Sequence, residues 1–196
     1  MSRILVIQGH PDPAGNRLCH ALADAYAAAA TKAGHTVARI EVAALDFPLL
    51  RTKEAFEKGQ LPESLVPAHE AILAAEHIVL VFPLWLGTMP ALLKAFLEQV
   101  MRPGVAFAYP DAGKAGFVKT LLKGRSARVV VTMGMPSAVY QLFYLAHGVR
   151  GLERNILRFV GIAPVRITML GMVEGASRAK RDGWLDKMRT LGAAAR

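Results

Sequence analysis

The chain has 196 residues, of which 53% are hydrophobic and 20% charged, with a formal net charge of +9 and one cysteine. That length fits one domain with a full core. The lone Cys19 excludes an internal disulfide, and no CxxC, HExxH or clustered His/Asp set speaks for a metal. The basic residues are dispersed without aromatic residues between them, which argues against nucleic acid and leaves small anions open as ligands.

In chain order, Ile4–Gln8 reads as a first strand, too short an apolar core for a signal peptide. The loop that follows is Gly9-His10-Pro11-Asp12-Pro13-Ala14-Gly15, so the GxGxxG of a dinucleotide-binding Rossmann domain is missing. An Ala-rich helix runs from Asn16, as N-cap, to Ala33 and is closed by Gly34. Free N–H groups and the positive dipole end make its start an anion site, to which Arg17 adds a charge-assisted contact. The same residues also read as an ordinary capped turn with nothing bound. Cys19 at a helix start invites a lowered thiol pKa, although a packed small side chain is the stronger reading.

Thr36–Val42 is a second strand, followed by a mixed segment through Leu61 and a helix over Pro67–Glu76. Ile78–Phe82 is a buried strand that stops at Pro83. A turn carrying Trp85 and Gly87 leads to Pro90, which opens a helix over Ala91–Met101. A connection over Pro103–Ser126 precedes a strand at Arg128–Met133. Helical segments near Ser137–Ala146 and Leu152–Val160, a strand at Val165–Leu170 and a last helix at Ala179–Leu191 complete the chain. Residues 78–93 and 129–146 are uncharged and near the length of a membrane span, but Pro83, Pro90 and Pro136 suit strand–turn–helix joints instead.

Strand–helix alternation demands right-handed parallel crossovers. The expected fold is α/β: a single domain over residues 1–196, a flavodoxin-like three-layer sandwich with a five-stranded parallel sheet in the order 2-1-3-4-5. A (β/α)8 barrel needs about 250 residues. Parallel order sends the loops His10–Cys19, Pro83–Pro90 and Thr132–Tyr140 to one edge. Trp85, between Leu84 and Leu86, offers a face to a flat heterocycle, or else covers the core or a subunit contact. Tyr140 and His147 are seven apart, so two helical turns put them on one face, where they donate to developing negative charge or simply pack. A phosphate end, an aromatic middle and polar donors describe a flavin nucleotide pocket.

The ordered set Phe82-Pro83-Leu84-Trp85, Gly87, Pro90-Ala91-Leu92-Leu93-Lys94, Phe96 and Glu98 resembles the flavodoxin-like NAD(P)H quinone reductases, which include ancillary oxidoreductases of potassium-efflux systems. His10, Phe107-Ala108-Tyr109, Gly113-Lys114, Thr132, Gly134, Tyr140 and His147-Gly148 extend the resemblance over nearly the whole chain. It implies a bound FMN or FAD, with the phosphate on His10, Arg17, Leu18 and Cys19. The ring would lie on Pro83, Leu84, Trp85 and Leu86 and on Thr132, Met133 and Gly134. It also implies a homodimer in which Tyr109 reaches the partner's flavin, and hydride transfer from NAD(P)H to a quinone or similar acceptor, with Tyr140 and His147 as catalytic donors. The chain lacks the C-terminal extension that some members use to hold the adenosine of FAD, which favours FMN. Leu18-Cys19 stand where the family often has Phe-Asn. The expected location is the cytoplasm. The alternative is a flavin- or nucleotide-binding regulatory subunit that docks on a membrane transporter.

Overall fold

The computed structural model describes residues 1–110 and 118–196. Its sheet is built from β1 (Arg3–Gln8), β2 (Thr36–Glu41), β3 (His77–Pro83), β4 (Ser126–Thr132) and β5 (Val165–Leu170), all parallel, in the order β2-β1-β3-β4-β5. This is the expected order. Apolar residues alternate between the two faces with the strand period of two. Leu5, Ile7, Ile78, Leu80 and Phe82 pack on one side, and Ile4, Val6, Val79 and Val81 on the other. Both faces are covered, which explains why β3 is apolar from Ile78 to Pro83 rather than alternating with polar residues.

The second face carries α1 (Leu18–Lys32) and α7 (Arg178–Ala193), packed on the strands through Leu22, Tyr26 and Met188. The first carries α3 (Val66–Ala74) and α4 (Ala91–Val100), which bury Ile72, Leu93 and Phe96. A short helix, α2 (Lys53–Lys58), lies inside the segment read as mixed. Thr52 caps it by accepting the Ala55 N–H, and Arg102 holds it from a distance.

Three boundaries differ from expectation for local reasons. Asn16 is not the N-cap: α1 starts two residues later behind an extended Arg17, because Asp12 Oδ1 takes the Ala14 N–H and the chain turns at Gly15. The helix expected over Ser137–Ala146 stops as α5 (Ser137–Leu142), since Leu145 and Ala146 adopt φ of +53° and +50°. The following helix starts early, as α6 (His147–Gly151), and widens into a π-helical turn over Leu152–Leu157. Within Pro103–Ser126, Phe107–Ala108 and Lys119–Thr120 form a two-residue antiparallel ladder. Among the described residues no helix is long and apolar enough to cross a membrane.

Candidate cofactor site

The loops after β1, β3 and β4 meet at the carboxyl edge of the sheet around a cavity of about 470 Å³. His10, Arg17, Leu18, Cys19, Pro83, Trp85 and Thr132 all line it. The loops are tied to one another, because the Leu84 N–H donates to the Thr132 carbonyl at 2.7 Å.

At one end, α1 points its amino terminus into the cavity. The first N–H groups of a helix have no intrahelical acceptor, and the Cys19 N–H finds no acceptor among the described residues. His10 Nδ1 accepts the Asp12 N–H at 3.0 Å, which leaves its proton on Nε2. Burial first, and then neighbouring His20, hold the His10 pKa below the ordinary histidine value, so the ring is a neutral N–H donor at pH 7. Arg17 is not free. Its Nε and Nη2 both reach Asp12 Oδ2, at 2.7 and 2.6 Å. The Ala14 N–H and then Arg17 keep the Asp12 carboxyl below its usual range, and it stays ionised.

Cys19 is buried and lies 3.2 Å from Thr132 Oγ1. Burial pushes its thiol up to about 11, so the lowered pKa that a helix start invites does not arise and the side chain packs. Two polar side chains buried near this edge, Gln8 at the end of β1 and His20 in the first turn of α1, keep atoms without a protein partner.

Trp85 is half exposed and lines both this cavity and a larger one of about 810 Å³ that runs past Pro90 and Lys94 to Gly151 and Asn155. It sits on a two-residue hairpin turn: its N–H donates to the Thr88 carbonyl at 2.9 Å, and the Thr88 N–H returns the bond at 3.0 Å. Leu86 at the tip is fully exposed.

Other expected residues lie elsewhere. Met133 is buried in the core on the opposite face from Thr132, as strand alternation requires, and does not line the cavity. Leu84 packs on the same core. Gly134 stands at the rim, where a Cβ would come 3.4 Å from Glu174 Oε1. Tyr109 stacks edge-on against Phe107 and lines a separate cavity of about 220 Å³. Gly113-Lys114 fall outside the described residues. Tyr140 and His147 are not brought to one helix face: the left-handed pair Leu145-Ala146 separates α5 from α6, Tyr140 is buried and His147 is exposed. Neither lines the cavity.

Sequence reasoning missed Asp12, Val173 and Glu174, which complete the lining. Val173 and Glu174 follow β5, so the parallel order that places three loops on this edge also places a fourth. Among the described residues no group of three or more His, Cys, Asp or Glu is placed to hold a metal ion.

Residues 2–191 match a protein family described by its flavodoxin-like fold. An FMN-dependent NADH:quinone oxidoreductase of Ruegeria pomeroyi is 32% identical over 151 residues, covering 69% of this chain and 72% of that protein. An NAD(P)H dehydrogenase [quinone] 1 of Rattus norvegicus is 28% identical over 70% of this chain, and the match spans about half of that protein (52%). Among solved structures, an NAD(P)H:quinone oxidoreductase from Methanothermobacter marburgensis superposes with a TM-score of 0.80 at 22% identity, over all of both chains. An FMN-dependent NADH-azoreductase of Bacillus anthracis, in complex with FMN, gives 0.73 at 17% identity, covering 99% of each chain. At these identities the two structures speak for the fold.

Proposed function

The chain belongs to the flavodoxin-like fold family matched over residues 2–191, and from that premise we propose that it is an FMN-dependent NAD(P)H oxidoreductase that passes hydride to a quinone-like acceptor. The observation that carries this reading is the 470 Å³ cavity, which joins a helix amino terminus, a neutral imidazole donor and an indole wall. Relatives named for FMN, NADH and quinone support the cofactor and the reaction class.

The donor set fits FMN. A phosphate needs N–H donors, which the start of α1 and His10 Nε2–H provide while Arg17 offsets the Asp12 carboxylate, and a flat ring needs an apolar wall, which Trp85 provides. FMN held there supplies the site with a two-electron hydride carrier. The protein's part is to bind and orient. The first turn of α1 would hold the charged end, with Arg17 offsetting Asp12, Trp85 and Pro83 would wall the ring, and Thr132, in contact with Cys19, would offer a hydroxyl. Met133, Leu84 and Leu86, named for the ring by resemblance, would act through the backbone that carries them.

Two carboxylates in the lining, Asp12 and Glu174, oppose a phosphate, and Asp12 is the one paired with Arg17. An ionised carboxylate within a few ångströms of the anion repels it, and water at this open site screens the repulsion without removing it. Asp12→Asn keeps the acceptor for Ala14 and removes the charge, so FMN affinity is expected to rise about fivefold, while Arg17→Ala exposes the carboxylate and is expected to weaken binding about tenfold. Fluorescence titration with FMN reads both. Weaker binding by Asp12→Asn would mean that the carboxylate holds the cofactor in place rather than opposing it.

The single domain 1–196, the cytoplasm and a homodimer are parts of the same proposal. The first is supported by one five-stranded sheet that takes strands from both ends of the chain, and the second by the single cysteine, which leaves no internal disulfide to form. The third is supported by the exposed apolar run Leu142-Phe143-Tyr144-Leu145, which sedimentation analysis tests directly. The transporter-docking alternative gains no support from the relatives' names. The test of the whole reading is a visible spectrum of the protein incubated with FMN and freed of excess, before and after anaerobic NADH or NADPH. A flavin spectrum that bleaches is expected. A protein that retains no flavin overturns the reading.

A further inference from the structure

The turn that carries Trp85 is strained and lacks packing at its tip. Leu86 and Gly87 both have positive φ, +46° and +78°. Gly87 adopts this at no steric cost, but a leucine in the left-handed region costs energy that its fully exposed side chain does not recover by burial. Its restraint comes from outside the turn. The Tyr140 hydroxyl donates to the Gly87 carbonyl at 2.8 Å and accepts the Val149 N–H at 3.2 Å. Its proton and an acceptor lone pair are thus both taken by backbone, and the side chain is 1% exposed. Gly148 completes the contact: a Cβ there would stand 2.0 Å from the Gly87 carbonyl oxygen and 2.8 Å from Thr88 Cα, so α6 lies against the turn only because this residue has no side chain.

We propose that Tyr140 is a positioning residue, a clamp that joins α5, α6 and the Trp85–Thr88 turn and so fixes the indole wall shared by the two cavities, and that it passes no proton to the reaction. The phenol touches neither cavity, while Trp85 lines both. Its influence on the bound ring therefore runs through the position of Trp85. Burial raises its pKa, in keeping with a hydroxyl that stays protonated as a structural donor. The inference rests on the flavin reading for its consequence but not for its geometry.

The test compares wild type with Tyr140→Phe, which keeps the ring and removes both hydrogen bonds. Amide hydrogen exchange on the protein without added flavin is expected to speed up about tenfold at Thr88, Trp85 and Val149. FMN affinity is expected to fall about fivefold, and the pH profile of NADH-dependent reduction at saturating FMN is expected to keep its shape. Gly148→Ala, with Tyr140 intact, pushes α6 off the turn and is expected to give the same exchange pattern at Trp85 and Thr88. Unchanged exchange in the turn, unchanged FMN affinity and an altered pH profile in Tyr140→Phe would overturn the clamp and make the phenol a proton donor. If wild type binds no FMN, the exchange measurement still decides the clamp, and only the flavin reading falls.

Discussion

Acidification from pH 7 to pH 4.5 is expected to cost this fold about 2–3 kcal/mol through one side chain, His77. The residue opens β3, is 2% exposed, and stacks on Tyr26 at 6.4 Å. Its Nδ1 meets Ser126 Oγ at 2.8 Å, while Nε2 is buried without a partner. Burial first, then the Arg128 and Arg166 guanidinium groups, hold its pKa at about 4 against an ordinary 6.5. The folded value is the depressed one, so as pH falls below 6.5 the unfolded chain takes the proton first. The stability is fully present above about 6.5 and is lost progressively toward pH 4, below which this group adds no further loss. Urea unfolding at pH 7 and pH 4.5 checks it, with His77→Gln as control. The variant is expected to lose less stability between the two pH values, by most of that amount. His10, whose pKa burial also lowers, is common to both proteins, so the difference isolates His77. Equal losses in the two would discard the assignment.

The sheet was legible because its central strands, at Ile4–Ile7, Ile78–Phe82 and Val129–Val131, are β-branched or apolar runs, the second ended by Pro83, and because parallel order follows from alternation. Three loops on one edge then followed from topology alone, and with them His10, Arg17, Leu18, Cys19, Pro83, Trp85 and Thr132 around one cavity. What failed was decided by single backbone angles or by distant contacts. Nothing in Leu145-Ala146 announces two left-handed residues, since neither is Gly, Asn or Asp, and so the seven-residue spacing of Tyr140 and His147 looked helical. Met133 was within reach: Val130 faces α1, so Thr132 does too and Met133 cannot. Arg17 was read by its charge, but Asp12, five residues earlier, already holds that charge. The fourth loop, with Val173 and Glu174, obeys the same rule as the other three and was visible in the same pattern.

The helix α2 was not visible, and its stability depends on a residue more than forty positions away. Arg102 is 6% exposed, and its Nη1 donates to the carbonyls of Gly59 and Gln60 at 2.8 and 3.1 Å and, more weakly, of Ala55 at 3.3 Å, while Nη2 meets Gln99 Oε1. Gln99 in turn donates to the Pro48 carbonyl at 2.6 Å. One guanidinium and one amide thus pin the whole excursion from Pro48 to Gln60 onto the end of α4. Among the described residues no carboxylate is involved. The buried charge is solvated by carbonyl dipoles, and burial lowers its pKa. Arg102→Met fills similar space but leaves Gln99 Oε1 buried without a donor, and a stranded buried acceptor costs more than the net value of the bond it made. Gly59 and Gln60 are exposed and their carbonyls can turn to water. The expected loss is therefore about 2–4 kcal/mol rather than the sum of four bonds, equivalent to a fall in Tm of about 5–12 °C for a chain of this size. Arg102→Lys is expected to do no better, because one ammonium cannot serve acceptors spread over two segments in the directions that the planar fork covers. Thermal unfolding together with limited proteolysis between residues 48 and 60 separates local from global effects. Cleavage there at temperatures well below the transition is the expected sign that the excursion is released first. A variant with wild-type Tm and no new cleavage would mean that α2 is held by its own cap and by Phe56 packing on the core, and that Arg102 is tolerated rather than required.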